Sequence, residues 1–460
     1  MAKWAEMLGF PLEVEVKRLL ADSRQVRPGD AFVALPGIER DGAEFVTAAV
    51  ANGASLVISH QPVLADVPVW VVDNLVDKLP AVAAEFYQKP LSWLFGVTGT
   101  NGKTSVAAYV AQLLDEAGFL GTIGNGKWPN LNESSHTTQD LLAVHANLAE
   151  LASNCQGVAM EVSSHAIDQQ RIAALPFSVL AFTNLSRDHL DYHGSMDNYG
   201  ACKKSLFSQY PQATAVVNID DALGQEIAGE RDVVTVSLQH KADHQFSDLI
   251  LKPTGLQATW HFNGEARQVS APLLGEFNAN NLLVAMASAV ALGVDSDVIV
   301  QRAANLVPVA GRMQGVTWQD RLAIVDYAHT PDALEKALKA ARAHCHNKLM
   351  VVVGCGGDRD KGKRPLMAQA ALEHADYCWF TSDNPRSENP KAILQDMEAG
   401  DPRSEARYVI DREQSIQQAL MAMQPGDVLL VAGKGHEDYQ EVQGQRYPFS
   451  DMAVIQEWWA

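Results

Sequence analysis

The loop Gly99-Thr100-Asn101-Gly102-Lys103-Thr104 lies between an apolar run and an amphipathic one, and it restricts the fold more than any other stretch of the chain. The run before it, Leu91 to Val97, reads as a buried strand. The stretch after it, Ser105 to Ala117, places Ala107, Val110, Ala111, Leu113 and Leu114 where a helix packed on a sheet needs them. Strand, glycine-rich loop and helix in succession make a phosphate site. Gly99 and Gly102 allow the turn and aim N–H groups inward, and the new helix adds the positive end of its dipole. Lys103 adds a point charge and Thr104 a hydroxyl for a magnesium ion. The pattern predicts nucleoside triphosphate binding; a tight turn with a surface lysine is the plainer alternative.

With 460 residues the chain has room for roughly three domains, and 47% hydrophobic residues supply several cores. Residues 1–88 carry short strands at Ala31–Leu35, Leu56–Ile58 and Val69–Val72 with a helical pattern at Ala43–Asn52, a small α/β unit. Asp22-Ser23-Arg24 and the glycines from Gly37 to Gly42 read there as polar loops beside strands. Residues 89–308 hold the phosphate loop. Residues 309–460 alternate strands and helices: Ile324–Tyr327, Pro331–Ala343, Leu349–Val353, Pro365–His374, Tyr377–Thr381 and Val428–Ala432. That alternation predicts a mostly parallel sheet covered on both faces, with ligands bound beyond the carboxyl ends of its strands.

Charge and cysteine usage exclude several classes. The net charge of -19, without clustered Lys and Arg, argues against nucleic-acid binding. Five scattered cysteines with no Cys-x-x-Cys pair indicate neither a disulfide framework nor a zinc site. The first residues lack the apolar core of a signal peptide, and no apolar run is long enough to cross a bilayer, so the expectation is a cytoplasmic protein without membrane partners.

Further constellations follow strands. Gly157 to His165 reads as a buried strand ending in Glu161-Val162-Ser163-Ser164-His165; Glu161 beside the phosphate loop could hold magnesium, or be a solvated strand end. A second strand, Ser178–Thr183, runs into Asn184 to His193, whose histidines and acids could ligate a metal or be structural. Tyr199 and Lys203-Lys204 then read, by spacing alone, as an amphipathic helix with two solvated lysines. Glu276 to Asn281 opens a helix of small apolar residues, Leu282–Ala291, with asparagines available as caps or donors. In the last third, Gly354 to Arg364, Asp383-Asn384-Pro385-Arg386 and Gly433 to Glu437 follow successive strands and suggest a site for a polar, charged molecule.

Gly99 to Thr104, Glu161 to His165, Thr183 to Gly194, Asp326 to Pro331 and Asp383 to Arg386 together resemble the Mur ligases, over nearly the whole chain. Within that family they are most similar to the branch that adds the third residue of the peptidoglycan stem peptide. The resemblance implies an α/β fold of three domains: a UDP-substrate-binding domain (1–88), a central P-loop ATPase with a parallel sheet (89–308), and a Rossmann-like domain (309–460) for the incoming amino acid. It implies an ATP- and Mg2+-dependent ligase that joins meso-diaminopimelate to UDP-N-acetylmuramoyl-L-alanyl-D-glutamate through an acyl phosphate, acting as a monomer.

The same resemblance assigns residues. Gly99, Thr100, Asn101, Gly102, Lys103, Thr104, Ser105, Asn278, Arg312 and Asp326 would serve ATP. Ser23, Thr137, Thr138, Ser163, Gln169 and Arg171 would hold the UDP-muramoyl peptide. Thr104, Glu161 and His189 would stand at magnesium with Lys203, the family's carbamylated lysine (N6-carboxylysine), and Lys103, Lys203, Glu161 and His189 would be catalytic. Arg359, Asp383, Asn384, Arg386, Gly433 and Glu437 would bind the amino acid, with the arginine forks suited to the distal carboxylate of diaminopimelate. The nearest enzyme alternative is a folylpolyglutamate synthetase, against which the N-terminal unit and Arg386 speak; a non-catalytic nucleotide-binding protein is the alternative from another class.

Overall fold

The computed structural model describes residues 3–11, 15–37, 40–134 and 136–460. The chain forms two compact units, Met1–Val236 with Val284–Val294, and Ser237–Leu283 with Asp295–Ala460.

In the first unit, among the described residues, β1 (Leu19–Leu20), β2 (Ala31–Ala34), β3 (Leu56–Ser59) and β4 (Val69–Val71) pair in order as a parallel sheet. The expected helix at Ala43–Asn52 is shorter: Gly42–Phe45 is a 3-10 turn capped by Asp41 and Glu44, and the α-helix spans Val46–Ala51. The larger sheet contains β5 (Trp93–Thr98), β6 (Ala117–Gly121), β7 (Gly124–Lys127), β8 (Gly157–Glu161), β9 (Val179–Phe182), β10 (Thr214–Asn218) and β11 (Val234–Ser237). Their order is β11-β10-β9-β5-β8-β6-β7, parallel except for the β6–β7 hairpin. The helix after the glycine loop is Lys103–Leu113, shorter at its end than the pattern suggested, because Leu114 is extended and Glu116 turns at φ 45° into β6. Val106 to Val110 are essentially inaccessible, as a helix apolar all round requires.

In the second unit, β12 (His244–Lys252), β13 (Gly255–Phe262) and β14 (Glu265–Ala271) form an antiparallel meander that the sequence reading did not anticipate. The other sheet is built from β15 (Gln314–Trp318), β16 (Arg321–Asp326), β17 (Leu349–Cys355), β18 (Tyr377–Ser382), β19 (Arg407–Val409) and β20 (Val428–Ala432), in the order β15-β16-β20-β17-β18-β19. Only the edge strand β15 runs antiparallel. A hairpin, β21 (Tyr439–Val442) with β22 (Gln445–Pro448), follows. The helix expected to open at Glu276 to Asn281 spans Glu276–Ala291.

All five cysteines are free thiols; Cys155, Cys355 and Cys378 are buried, and Cys202 and Cys345 half-buried. Among the described residues no helix is long and apolar enough to cross a membrane.

Candidate active site

Strand register creates the first cluster. β5 lies between β8 and β9, with Val97 opposite Glu161 and Thr98 opposite Phe182, so the carboxylate and the segment after Phe182 emerge beside the glycine loop. Gly99 sits at φ 150°, and a Cβ there would stand 1.9 Å from Thr183 Oγ1, so only glycine fits. The two loops are stitched together: Thr100 N–H donates to Asn184 O (2.7 Å), Asn101 N–H to Asn184 Oδ1 (3.1 Å) and Thr183 Oγ1 to Asn101 O (2.6 Å). Lys103 Nζ donates to the carbonyls of Gly99 and Thr100, both at 2.9 Å. Thr104 and Ser105 are buried at the start of the helix.

Lys203 reaches the same Gly99 carbonyl at 2.9 Å and lies 4.4 Å above the Tyr199 ring. The helix carrying it spans Met196–Gln209, and Lys203 is 1% exposed, which corrects the reading of two solvated lysines. Only Lys204 fits that description, paired with Glu226 and Glu230. Burial, with Lys103 as a second cause, lowers the Lys203 amine to about 6, so it is largely uncharged at neutral pH.

Glu161 is 1% exposed. Its Oε2 accepts from Thr104 Oγ1 (2.9 Å) and Thr122 Oγ1 (3.3 Å), and its Oε1 from Thr122 N–H (2.7 Å). Burial raises its pKa, while Lys103 and these bonds act in the opposite direction. Thr138 Oγ1 donates to Glu161 O (2.9 Å) and accepts from Ser163 N–H (3.1 Å); Thr137 Oγ1 meets Thr122 Oγ1 at 3.0 Å. Arg171 Nη1 donates to Thr138 O (2.9 Å) and its Nε to Gln169 Oε1 (2.9 Å), so five residues expected at the UDP-muramoyl peptide form one network. Ser23 lies apart from it, buried in a 3-10 turn capped by Asp22, with its carbonyl accepting from Asn52. His189 is exposed at φ 51°, its ring 5.0 Å from His165 and 6.0 Å from Tyr199. Among the described residues no three His, Cys, Asp or Glu side chains gather as a metal site. Of the residues expected at magnesium, Thr104 and Glu161 touch directly.

The remaining residues lie in the second unit. Asn278 is buried near the start of its helix and donates to Leu274 O. Asp326 ends β16, accepting from the N–H groups of Met313 and Ala328, both at 2.9 Å. The Arg312 guanidinium lies 5.1 Å from the Tyr327 ring. Adjacent parallel strands β16, β20, β17 and β18 bring Asp326, Gly433, Gly354 and Asp383 to one sheet end. Gly433 has φ 115°, and a Cβ there would meet Asp383 Oδ2 at 2.6 Å. Asp383 is buried and its pKa raised by that burial, against Arg412 and Lys434.

Asn384 Nδ2 donates to Glu437 Oε2 (2.7 Å), and Lys434 Nζ donates to Glu437 Oε2 (2.9 Å) and Asn384 Oδ1 (3.1 Å). The backbone of Arg386, at φ 50°, pairs with the β21 hairpin through Glu441 O and Gln443 N–H. Its Nη1 donates to Gly357 O (2.8 Å) and its Nε lies 3.7 Å from Glu441. Glu388 is held by Arg364 and Lys361. Arg359 is exposed on the Asp358–Asp360 turn. Sequence reasoning missed Thr122 and Gln440, the latter donating to Asp383 O at 2.6 Å. The cue for Thr122 was the glycine triplet Gly121, Gly124 and Gly126 around it.

Three family descriptions match successive parts of the chain: "Mur ligase family, catalytic domain" at residues 15–87, "Mur ligase middle domain" at 97–289, and "Mur ligase, glutamate ligase domain" at 311–435. The UDP-N-acetylmuramoyl-L-alanyl-D-glutamate--2,6-diaminopimelate ligase of Ectopseudomonas mendocina is 44% identical over 96% of this chain and 95% of its own. The protein of the same name from Vibrio vulnificus is 43% identical over 97% and 94%. A solved structure of a ligase so named superposes with a TM-score of 0.74 at 35% identity, covering 99% of this chain and 98% of that one. The chain belongs to the Mur ligase family and has its three-domain α/β fold.

Proposed function

We propose that the chain is an ATP-dependent ligase of peptidoglycan synthesis that joins meso-diaminopimelate to UDP-N-acetylmuramoyl-L-alanyl-D-glutamate. The observation that carries this is identity of 44% over 96% of this chain with a relative bearing that ligase's name. Boundaries near residues 88 and 308 would divide the chain into UDP-substrate, ATP and amino-acid domains.

A carboxylate is a poor acyl donor, so the terminal phosphoryl group of ATP is first transferred to it. The amine of the amino acid then attacks the acyl phosphate, a tetrahedral oxyanion forms, and inorganic phosphate leaves with a proton lost from nitrogen. Lys103, at the loop Gly99 to Ser105, binds and orients the phosphates and offsets charge as it develops. Asn278, Arg312 and Asp326 complete the nucleotide contacts. Ser23, Thr137, Thr138, Ser163, Gln169 and Arg171 hold the UDP-muramoyl peptide.

The hard oxygen donors of Thr104 and Glu161 fit magnesium, and Lys203 as a carbamate would add an anionic oxygen, with His189 nearby as a further ligand. A bound magnesium ion would supply neutralisation of phosphate charge. A buried, largely uncharged amine is the form of lysine that adds carbon dioxide, which supports Lys203 as the modified residue. Arg386 and Arg359 would receive the distal carboxylate of diaminopimelate, with Asp383, Asn384, Gly433 and Glu437 shaping the ammonium end. Substrates that are cytoplasmic nucleotides favour a cytoplasmic location.

The test is ADP release with a panel of amino acids. Release should require both UDP-N-acetylmuramoyl-L-alanyl-D-glutamate and meso-diaminopimelate; release indifferent to either would sink the reading.

A further inference from the structure

We infer that Thr122 is a positioning residue that couples occupancy of the UDP-muramoyl peptide site to cation binding at Glu161, an inference that rests on the function proposed above. Thr122 stands at the turn of the β6–β7 hairpin, and the backbone there is pressed onto the carboxylate. A Cβ on Gly121 would come within 2.3 Å of Glu161 Oε1. Thr122 N–H holds that same oxygen at 2.7 Å. Its hydroxyl lies between two groups, 3.3 Å from Glu161 Oε2 and 3.0 Å from Thr137 Oγ1.

A hydroxyl has one proton to give and lone pairs to receive, whereas a carboxylate only receives. That one proton is shared: Thr122 Oγ1 donates to Thr137 Oγ1 at 3.0 Å and to Glu161 Oε2 at 3.3 Å. An anionic group of the substrate that accepts the Thr137 proton polarises that hydroxyl and makes its oxygen the stronger acceptor for the Thr122 proton. The Thr122 proton then turns to the Thr137 oxygen, and Glu161 Oε2 keeps Thr104 as its hydroxyl donor. An oxygen relieved of one hydrogen bond is a better ligand for a cation. Substrate and cation therefore favour each other through one rotating hydroxyl, and linkage makes the effect reciprocal.

The experiment is calorimetric binding of UDP-N-acetylmuramoyl-L-alanyl-D-glutamate to the full chain with a non-hydrolysable ATP analogue, in magnesium and in chelator. In the unaltered protein magnesium should tighten binding of the dipeptide by about three- to tenfold, the worth of one hydrogen bond. Thr122→Val keeps the shape and the backbone N–H but should lose that tightening, and Thr122→Ser should retain it. Thr137→Val removes the other hydroxyl and should abolish the same dependence, which keeps the test decisive if Thr122→Val does not fold. Full magnesium dependence in either valine variant, or none in the unaltered protein, would overturn the coupling and leave the ligase reading standing. Failure of the unaltered protein to bind the dipeptide at all would instead overturn the proposed function.

Discussion

A single backbone carbonyl, that of Gly99, receives two lysine side chains, and the two are not equivalent. Lys103 is half-buried, whereas Lys203 is enclosed and its amine lowered to about 6. Lys203→Ala should therefore reduce ADP formation by roughly two decades or more, as loss of an electrostatic group at a phosphoryl site does. Partial rescue by a small added carboxylate is the expected sign of the carbamate, and a fully active alanine variant would remove the assignment. Arg386 acts on the other substrate. Its Nη1 now satisfies Gly357 O, a neutral partner that a carboxylate can replace. A charge-assisted bond is worth about 1.5–3 kcal/mol, so Arg386→Ala should cost about one to two decades of kcat/KM for diaminopimelate. The KM for the UDP substrate should stay within about twofold, and unchanged diaminopimelate preference in steady-state kinetics would count against the role.

Elements were legible where one strand, one turn and one helix follow each other directly. The glycine loop, the strand before it and the alternation after Ile324 could be read from periodicity and turn residues, because both are local. The β12–β14 meander escaped because polarity does not follow the alternation of its faces: Leu249, Ile250 and Leu251 run together, and Asp248 and Gln257 sit inside strands. Lys203 looked like a surface residue because helix spacing alone does not say which neighbouring element covers it. Only the family resemblance pointed to it. Thr122 was missed because its partners, Glu161 and Thr137, are distant in sequence. The loop-to-loop fit at Gly99 yields a test at this scale. Gly99→Ala should lower stability by about 1–3 kcal/mol from backbone strain, plus the clash with Thr183. Adding Thr183→Ala should recover part of the lost thermal stability, so that the pair is non-additive; strict additivity in thermal melts would mean the contact is absent.

At the scale of the whole molecule, each compact unit contains a histidine kept neutral by burial. His145, held between Lys89 Nζ (2.7 Å) and Ala173 O (3.0 Å), is lowered to about 4 by burial and then by Lys89. His244, which accepts from Trp260 Nε1 at 3.3 Å, is lowered to about 4 by burial. A histidine with a folded pKa below its unfolded value of 6.5 binds its proton first in the unfolded chain. Its contribution is intact above that value and is lost as pH falls toward 4, at most about 3 kcal/mol per site. Urea midpoints should fall over that window, and His145→Gln or His244→Gln should each flatten the decline. A variant that leaves the slope unchanged would show that its histidine is not responsible.

The free thiols offer a different use of the same architecture. Burial pushes Cys202 up to about 11 and Cys355 and Cys378 up to about 12, and it raises Cys155 and Cys345 as well. A thiol that is covered and protonated reacts with an alkylating agent only when its surroundings open. The buried Cys155 marks the first unit, and the buried Cys355 and Cys378 the second. The native chain thus carries its own set of timers, and brief alkylation followed by peptide mass analysis would tell which half comes apart first on heating.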